Sequence, residues 1–322
     1  MIRTPDASAL REAAAALQAG ELCAFPTETV YGLGANALSA AAVERIYQAK
    51  GRPASNPVIV HVLGIEDARN LTRDWPDVAE ALAQRFWPGP LTIVTRRTDH
   101  VPAIVSAGLD TIALRAPAHP VAQALLRACE LPLAAPSANR SEQVSPTTAE
   151  HVLKAGLIGL QWILDGGPCR CGIESTVVDL TESIPKLLRP GALAVAALRE
   201  VLPNLRMPDA KPALGPSRSP GMMTRHYAPR ARLTLIEHWD EIDLSARERP
   251  TGLLIRDSEP STLPDGSIVE RLGEDPDAYA ADLYAALHRL DNAGAAEIIA
   301  IRPPGDESWF AIRDRLTRAA AI

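Results

Sequence analysis

Short apolar segments alternate with helical patterns along this chain of 322 residues. Eight segments of four to six residues have the character of strands, at residues 21–25, 57–62, 91–95, 111–115, 131–135, 161–165, 176–180 and 186–189. Helical patterns follow Asp6 and then cover about 39–50, 76–86, 119–129, 147–155 and 193–202. Strands interleaved with helices predict an α/β fold, in which a twisted mixed sheet is covered by helices on both faces.

A proline-rich stretch separates this region from a second one. Prolines occur at positions 203, 208, 212, 216, 220 and 229, and each removes a backbone donor and prevents a continuous helix. Strand-like segments return at 232–237, 251–257 and 297–303, and helices are predicted over 277–292 and 307–320. We therefore predict a large domain over residues 1–205, a linker over 206–230 and a small Rossmann-like α/β domain over 231–322.

The composition is that of an ordinary globular protein, with 47% hydrophobic and 22% charged residues. No uncharged apolar run approaches the roughly 18 residues that a membrane-spanning helix needs. Charged residues at Arg3, Asp6, Arg11 and Glu12 interrupt any segment that resembles a signal peptide. These features predict a cytoplasmic protein that does not associate with membranes.

Charge is distributed unevenly between the two regions. Residues 232–322 contain ten arginines, no lysine and eighteen acidic residues, a net charge of −8, whereas residues 1–231 carry +2. An acidic second domain is a poor surface for nucleic-acid phosphates. An anionic ligand is therefore expected to bind the first region, through local positive charge.

The four cysteines, at positions 23, 129, 169 and 171, do not form a disulfide framework at this chain length. The Cys169-Arg170-Cys171 segment has no second Cys or His pair with metal-ligand spacing nearby. We therefore predict no metal site formed by protein side chains.

Polar loops follow several of the predicted strands. They cover residues 26–37, 116–120, 136–148, 166–176 and 189–191. Ordinary turn chemistry explains any one of these loops. Together they lie where open α/β sheets bind ligands, and they predict a single pocket. The GLGANA segment at 32–37 matches a dinucleotide fingerprint only formally, because six residues separate it from the preceding strand.

The most informative loop is KGRPASNPVIVHV, at residues 50–62. The chain has four lysines against twenty-nine arginines, so Lys50 close to Arg52 in a Gly/Pro loop stands out. A point charge beside a planar guanidinium suits a polyphosphate; the alternative is an exposed helix end stabilised by cations. The loop precedes its strand, so residues 57–62 are expected to run antiparallel to their neighbours. His61 is either a satisfied core histidine or a ligand-facing one.

Several long motifs resemble those of the YrdC-type threonylcarbamoyl-AMP synthases, in the two-domain form. They are PTETVYGLGANA (26–37), KGRPASNPVIVHV (50–62), FWPGPLTIV (86–94), LAAPSANRSEQVSPT (133–147), GIESTVVDL (172–180), LRPG (188–191) and SPGMMTRHYAP (219–229). The motifs keep the family order from about residue 21 to 229. Beyond residue 230 the resemblance rests on length and pattern.

The resemblance implies a set of site residues. The family's catalytic basic and polar tetrad falls on Lys50, Arg52, Ser137 and Asn139, which would also hold the ATP phosphates. Further ATP contacts would be Asn56, Thr111, Ser145, Arg189, His226 and Tyr227, and threonine contacts would be Thr29, His61, Arg115, Ala135 and Ser175. Thr111 and Ala135 depend more on spacing than on a motif.

The resemblance also implies a reaction in which L-threonine, bicarbonate (or CO2) and ATP give threonylcarbamoyl-AMP and pyrophosphate. The product would pass to a threonylcarbamoyl transferase that modifies tRNA. Mg²⁺ is expected to arrive with ATP, without a cofactor bound by the protein. Because the carbamate intermediate is labile in water, the pocket is expected to close during the reaction.

Residues 219–229 are expected to form that closure. The linker would fold over the pocket and present His226 and Tyr227 to the nucleotide, and its prolines would limit the entropy lost on closing. The alternative is a spacer whose aromatic side chains pack on a domain surface. Replacement of both residues by alanine is expected to weaken ATP use with little loss of stability.

Three other functions remain open from the sequence. An RNA-binding module is one, although the near-neutral first region predicts weak or no direct tRNA binding. A carbamoyl-transfer domain, as in hydrogenase-maturation proteins, shares the fold but is accompanied there by zinc-finger cysteines and greater length. A non-catalytic regulator is the third.

Overall fold

The computed structural model describes residues 1–208, 225–244, 250–263 and 265–321. The first 208 residues contain strands β1 (Ile2–Arg3), β2 (Leu22–Phe25), β3 (Gly32–Asn36), β4 (Ile59–His61), β5 (Leu91–Arg96), β6 (Thr111–Arg115), β7 (Leu133–Ala134), β8 (Leu160–Leu164), β9 (Thr176–Asp179) and β10 (Lys186–Arg189). They contain helices α1 (Ala7–Gln18), α2 (Ala40–Lys50), α3 (Ile65–Leu71), α4 (Asp77–Phe86), α5 (Pro120–Cys129), α6 (Ala149–Ala155) and α7 (Val195–Arg199).

The strands of this region form one mixed sheet. Its order is β1-β8-β2-β3-β7-β4-β6-β5-β9-β10. Apolar clusters cover both of its faces: one contains residues of α2 and α6, and another packs α1 and α5 against β2. The predicted α/β class with a mixed sheet is confirmed.

The short helices begin and end where local chemistry permits. Asp6 accepts a hydrogen bond from the backbone N–H of Ala9 at the start of α1, and Ser39 accepts one from Ala42 at the start of α2. Helix α2 ends at Gly51, whose φ of 60° is left-handed and costs glycine little. This turn carries the chain from the helix directly into the 51–58 loop.

Two strand predictions are corrected. Residues 32–36 were expected in a loop, but they form β3, antiparallel to β2. A dinucleotide fingerprint needs a strand, a turn and a helix N-terminus, so this geometry removes that interpretation of GLGANA. The strand at 57–62 was expected to be antiparallel to its neighbours, whereas β4 is antiparallel to β7 and parallel to β6.

The second region repeats the alternation on a smaller scale. It contains β11 (Arg232–Ile236), β12 (Thr251–Ile255), β13 (Ile268–Arg271), α8 (Pro276–Asn292), β14 (Glu297–Ile301) and α9 (Phe310–Ala319). The four strands are parallel, in the order β11-β14-β12-β13. Helix α8 buries Tyr279, Leu283, Leu287 and Leu290. The small parallel sheet confirms the predicted second α/β unit, and the domain boundaries stay a prediction.

An apolar interface joins the two regions. Val30, Val144 and Ile173 of the first region belong to the same buried cluster as the side chains of α8. Gly172 has a φ of 70°, and a Cβ at this position would lie 2.3 Å from the carbonyl oxygen of Ala280. Helix α8 therefore packs directly against the loop that precedes β9.

Candidate active site

A small cavity lies between the large sheet, the loop before β9 and the end of the predicted linker. It encloses about 40 Å³, which is room for a few water molecules only. Its polar and charged lining residues are Thr27, Thr29, Arg52, His61, Arg115, Ser137, Glu174, Ser175, Arg189, His226 and Tyr227. The polar loops of the first region thus meet at one place.

Most residues implied by the family resemblance line this cavity. Ten of the fifteen do so: Thr29, Arg52, His61, Arg115, Ala135, Ser137, Ser175, Arg189, His226 and Tyr227. Four others are buried behind it and hydrogen-bond within the same network: Lys50, Asn56, Asn139 and Ser145. Thr111 is buried at the start of β6 and lies outside the lining.

Strand pairing explains why the loop before β4 reaches the cavity. Strand β7 is antiparallel to β4, and the N–H of Ala135 donates to the carbonyl of Ile59. The chain then leaves β7 toward the amino end of β4, so the 136–139 loop meets the 50–58 loop. One antiparallel neighbour, β7, is therefore sufficient to bring the 50–58 loop to the cavity, as expected from the sequence.

Two basic side chains lie where the 136–139 and 50–58 loops meet, Arg52 in the cavity lining and Lys50 buried behind it. The Lys50 ammonium lies 2.5 Å from the Ser137 carbonyl oxygen and also contacts the Asn139 carbonyl oxygen. Arg52 donates from Nη2 to Asn56 Oδ1 at 2.7 Å and to the carbonyl of Pro57. Burial and the neighbouring Arg52 charge lower the pKa of Lys50 well below its usual value, and burial lowers that of Arg52 to about 10. Both groups therefore favour an anionic ligand.

The other end of the cavity holds a buried ion pair. Arg115 ends β6 and pairs in register with His61. Its Nη2 lies 2.7 Å from Glu28 Oε1, and both side chains are 4% exposed. Burial and the Arg115 charge lower the pKa of His61 to about 3, so its imidazole is neutral near pH 7. A guanidinium at a strand end, beside neutral polar groups, is suited to an amino-acid carboxylate.

Ser175 also lines the cavity, beside Arg189. Its hydroxyl is 2.8 Å from Thr92 Oγ1 and accepts a hydrogen bond from Arg189 at 3.1 Å. Arg189 also donates to the Ser175 carbonyl oxygen at 2.9 Å. The guanidinium of Arg189 thereby fixes the backbone turn from which the Ser175 hydroxyl projects.

Glu174 is a site residue that sequence reasoning missed. It is the single acidic side chain among the described residues that line the cavity. Burial would raise the pKa of its carboxyl, but Arg315 and Arg189 outweigh burial and lower the pKa to about 2. Its place inside the GIEST motif was the available signal, because a carboxylate in an otherwise apolar and hydroxyl-bearing stretch needs a partner.

His226 and Tyr227 close the cavity on the side of the second region. Tyr227 is 1% exposed, stacks on Tyr284 at 5.8 Å and has a left-handed φ of 61°, which is costly for a bulky residue. Residues 219–224 of the expected closing segment lie outside the described residues. The expectation of little stability loss on replacement by alanine stays a prediction, and the burial of Tyr227 argues for a larger loss.

Four buried polar atoms of the cavity lining have no hydrogen-bond partner among the residues that the structure describes; one of them, Arg115 Nη2, has the Glu28 carboxylate as an ion-pair partner, and the other three have neither. These three are His61 Nδ1, His226 Nδ1 and the Tyr227 hydroxyl oxygen. A buried polar group without a partner costs about 1–3 kcal/mol. Their convergence on one cavity indicates that a polar ligand satisfies them.

Comparisons with known proteins find family matches in both regions of the chain. A family model described as "Telomere recombination", for the Sua5, YciO and YrdC proteins, matches residues 15–191. A second model, for the C-terminal domain of threonylcarbamoyl-AMP synthase, matches residues 193–321. The two matches together cover both regions of the fold.

Curated relatives match along nearly the whole chain. The threonylcarbamoyl-AMP synthase of Pyrococcus abyssi is 41% identical, over 97% of this chain and 94% of the relative. That of Bacillus subtilis is 41% identical, over 97% and 92%. A crystal structure of the P. abyssi Sua5 protein in complex with L-threonine superposes with a TM-score of 0.90, at 41% identity and over 97% and 94% of the two chains.

Proposed function

The chain belongs to the family of threonylcarbamoyl-AMP synthases, in the form with a C-terminal domain, and we propose that it condenses L-threonine, bicarbonate and ATP. The products are threonylcarbamoyl-AMP, pyrophosphate and water, and transfer of the AMP group makes the enzyme a nucleotidyltransferase. The observation that carries the proposal is one cavity lined by Arg52 and Arg189, which are suited to phosphates, and by Arg115, which is suited to a carboxylate.

The cationic end holds the nucleotide. Lys50 and Arg52 neutralise the polyphosphate, with Arg189 beside them, and the ligand charge restores the charged form of Lys50 that burial disfavours. Asn56, Asn139 and Ser145 support this end from behind. Mg²⁺ enters as part of the substrate MgATP, since Glu174 is already held by Arg315, Tyr284 and Ser145.

The other end holds threonine. Arg115 donates two hydrogen bonds to the substrate carboxylate in a bidentate pair, which is the strong and oriented form of a charged hydrogen bond. Thr29, neutral His61 and Ser175 offer partners to the substrate hydroxyl and amine. L-threonine is bound in the P. abyssi Sua5 structure, which supports threonine as the amino acid.

No protein nucleophile is needed. Bicarbonate takes up a proton and loses water to give CO2. The threonine amine attacks CO2 and loses a proton, which gives a carbamate; a carbamate oxygen then attacks the α-phosphorus, and pyrophosphate leaves. Catalysis therefore consists of positioning the reactants and neutralising charge. An adenine nucleotide needs a site of roughly 300 Å³ or more, so His226 and Tyr227 must move aside for MgATP to enter the present cavity.

The test is product formation from three defined substrates. The purified protein is incubated with MgATP, L-threonine and bicarbonate, and pyrophosphate and the mass of the acyl-adenylate are measured while each substrate is omitted in turn. We expect pyrophosphate only when all three are present. Pyrophosphate release without threonine, or none at all, would contradict the proposal. The same preparation supplied with a threonylcarbamoyl transferase and tRNA tests the downstream step.

A further inference from the structure

Arg315 connects the C-terminal domain to three segments of the candidate active site. It lies on α9 and is 1% exposed. Its Nε donates to Glu174 Oε2 at 2.7 Å, and its Nη2 donates to the carbonyl of Pro190 at 3.0 Å. Its guanidinium carbon lies 4.9 Å from the centroid of the Tyr227 ring. One side chain thus contacts the loop before β9, the turn after β10 and the closing residues.

Glu174 links Arg315 to Ser145, one of the predicted nucleotide contacts. Its Oε2 also accepts a hydrogen bond from the Tyr284 hydroxyl at 3.0 Å, and its Oε1 accepts one from Ser145 Oγ at 2.6 Å. The carboxylate therefore joins two side chains of the C-terminal domain to a hydroxyl behind the cavity. The next residue, Ser175, is held by Arg189.

The backbone around Glu174 leaves it little freedom. A Cβ at Gly191 would lie 2.3 Å from the Glu174 carbonyl oxygen, so the chain after β10 packs tightly against it. Gly172 is in similarly close contact with α8 on the other side. A segment confined in this way transmits a displacement of its side-chain partner to its neighbours.

The ion pair between Arg315 and Glu174 also matters for the charge of the cavity. Without Arg315, the Glu174 carboxylate would line the nucleotide cavity with one of its charge-assisted partners missing. Its negative charge would then repel the ATP phosphates, and this repulsion is strong at low dielectric. Arg189 is near enough to influence Glu174 but is also the predicted phosphate contact. A carboxylate left unpaired would compete with the nucleotide for Arg189.

We propose that Arg315 of the C-terminal domain is a positioning residue for the nucleotide site, which acts through Glu174 by orienting Ser145 and by removing the repulsion between this carboxylate and ATP. Tyr284 assists through its hydrogen bond to the same oxygen. The second domain thus contributes two side chains that hold an active-site residue in place. The inference rests on the proposed function in taking the cavity as the nucleotide site.

The test is binding of α,β-methylene-ATP, whose α–β bridge cannot be cleaved, measured by calorimetry on the full-length protein without turnover. Arg315→Met is expected to weaken binding at least tenfold, and Glu174→Gln/Arg315→Met to recover to within about threefold of wild type. The matched control is Arg313→Met, on the same helix, whose side chain contacts the carbonyl of Gly305. Control binding is expected to equal that of wild type.

Two results would overturn the proposal. One is normal binding by folded Arg315→Met; the other is a double variant as impaired as the single one, which would mean that Arg315 serves only the domain interface. Should Arg315→Met fail to fold, Tyr284→Phe is measured instead, because it removes one hydroxyl that bonds to Glu174. A two- to fivefold loss of nucleotide affinity is expected, and unchanged affinity would overturn the proposal. Wild-type protein that does not bind the analogue at all would instead refute the proposed function, whereas equal binding by wild type and variants refutes this inference alone.

Discussion

The guanidinium of Arg115 lies 2.7 Å from the carboxylate of Glu28, and the two side chains are buried together at the end of β6. Under the proposed function, Arg115 must hold a second carboxylate, that of threonine. The guanidinium offers several donors in a fixed plane, so it can retain Glu28 on one edge while the substrate takes another. Glu28 then fixes the direction in which Arg115 presents its free donors.

Replacement of Arg115 tests this arrangement. Arg115→Met is expected to raise the KM for threonine by about 100-fold, the scale of losing a buried charged pair, and to change the KM for ATP little. Steady-state pyrophosphate release with each substrate varied in turn measures both constants. Since the single change leaves Glu28 unpaired, Glu28→Gln/Arg115→Met serves as the control for stability. Equal rises in both KM values would contradict the assignment of this end to threonine.

Lys50 is expected to be needed for the chemical step. Its ammonium is held between the carbonyls of Ser137 and Asn139, where a point charge fits and a planar fork does not. Lys50→Met should lower kcat by about 100- to 1000-fold, as does removal of one preorganised group that stabilises a developing charge, and Lys50→Arg should not restore it. Pyrophosphate release is the measurement, and Lys154→Met, at an exposed position of α6, is the matched control. A Lys50→Met enzyme with normal turnover would exclude the phosphate role.

The closing residues can be tested without removing their bulk. Tyr227→Phe deletes only the hydroxyl that lacks a partner among the described residues, so its stability should stay near that of wild type while nucleotide affinity falls. Tyr227→Ala should lower the free energy of unfolding by about 3–5 kcal/mol, because a large aromatic side chain leaves a packed core. Urea unfolding and nucleotide calorimetry separate the two effects. Unchanged affinity in Tyr227→Phe would show that the hydroxyl does not contact the nucleotide.

Stability should fall in mild acid as buried histidines are protonated; besides His61 and His226, a histidine pair between the domains contributes. The rings of His151 and His288 stack at 4.0 Å, and His288 Nε2 lies 3.2 Å from the Ser145 carbonyl oxygen. Burial and the neighbouring ring lower the pKa of His151 to about 3, and burial lowers the pKa of His288 from 6.5. The unfolded chain therefore binds protons near pH 6.5 that the folded protein excludes. Stability is full above pH 6.5 and declines as the pH falls from there toward 3.

Urea unfolding at pH 7, 6 and 5 measures this decline. The free energy of unfolding should decrease over the series, and His151→Gln should make the decrease smaller. His100→Gln, at an exposed position, is the matched control. A decrease of the same size in wild type and His151→Gln would show that other groups are responsible.

Some elements were predictable because their signal is local. Helix α2 has a serine cap, an apolar face and a terminal glycine, and all three are visible in the sequence. Strand β3 was missed because its segment is rich in glycine and follows a polar loop. It forms through pairing with β2, which is close along the chain, and with β7, which is about 100 residues away. Tertiary pairing of this kind overrides local propensity.

The candidate site likewise contains residues that the sequence identified and residues whose role depends on tertiary packing. Lys50, Arg52 and Ser137 lie in motifs, so a resemblance could identify them. Glu174 and Arg315 are 141 residues apart, and nothing in the amphipathic pattern of α9 marks one arginine as buried. Their pairing depends on how the two domains pack, which the sequence pattern does not encode in any one segment.

The position of Arg315 bears on synthesis of the protein. It lies 141 residues after Glu174, so the side chain that holds Glu174 is translated only after the whole of the first domain. An unfinished chain, or one shortened by a late stop codon, would have every motif of the first domain and still lack this support. Nucleotide would then be bound fully only by chains that include α9.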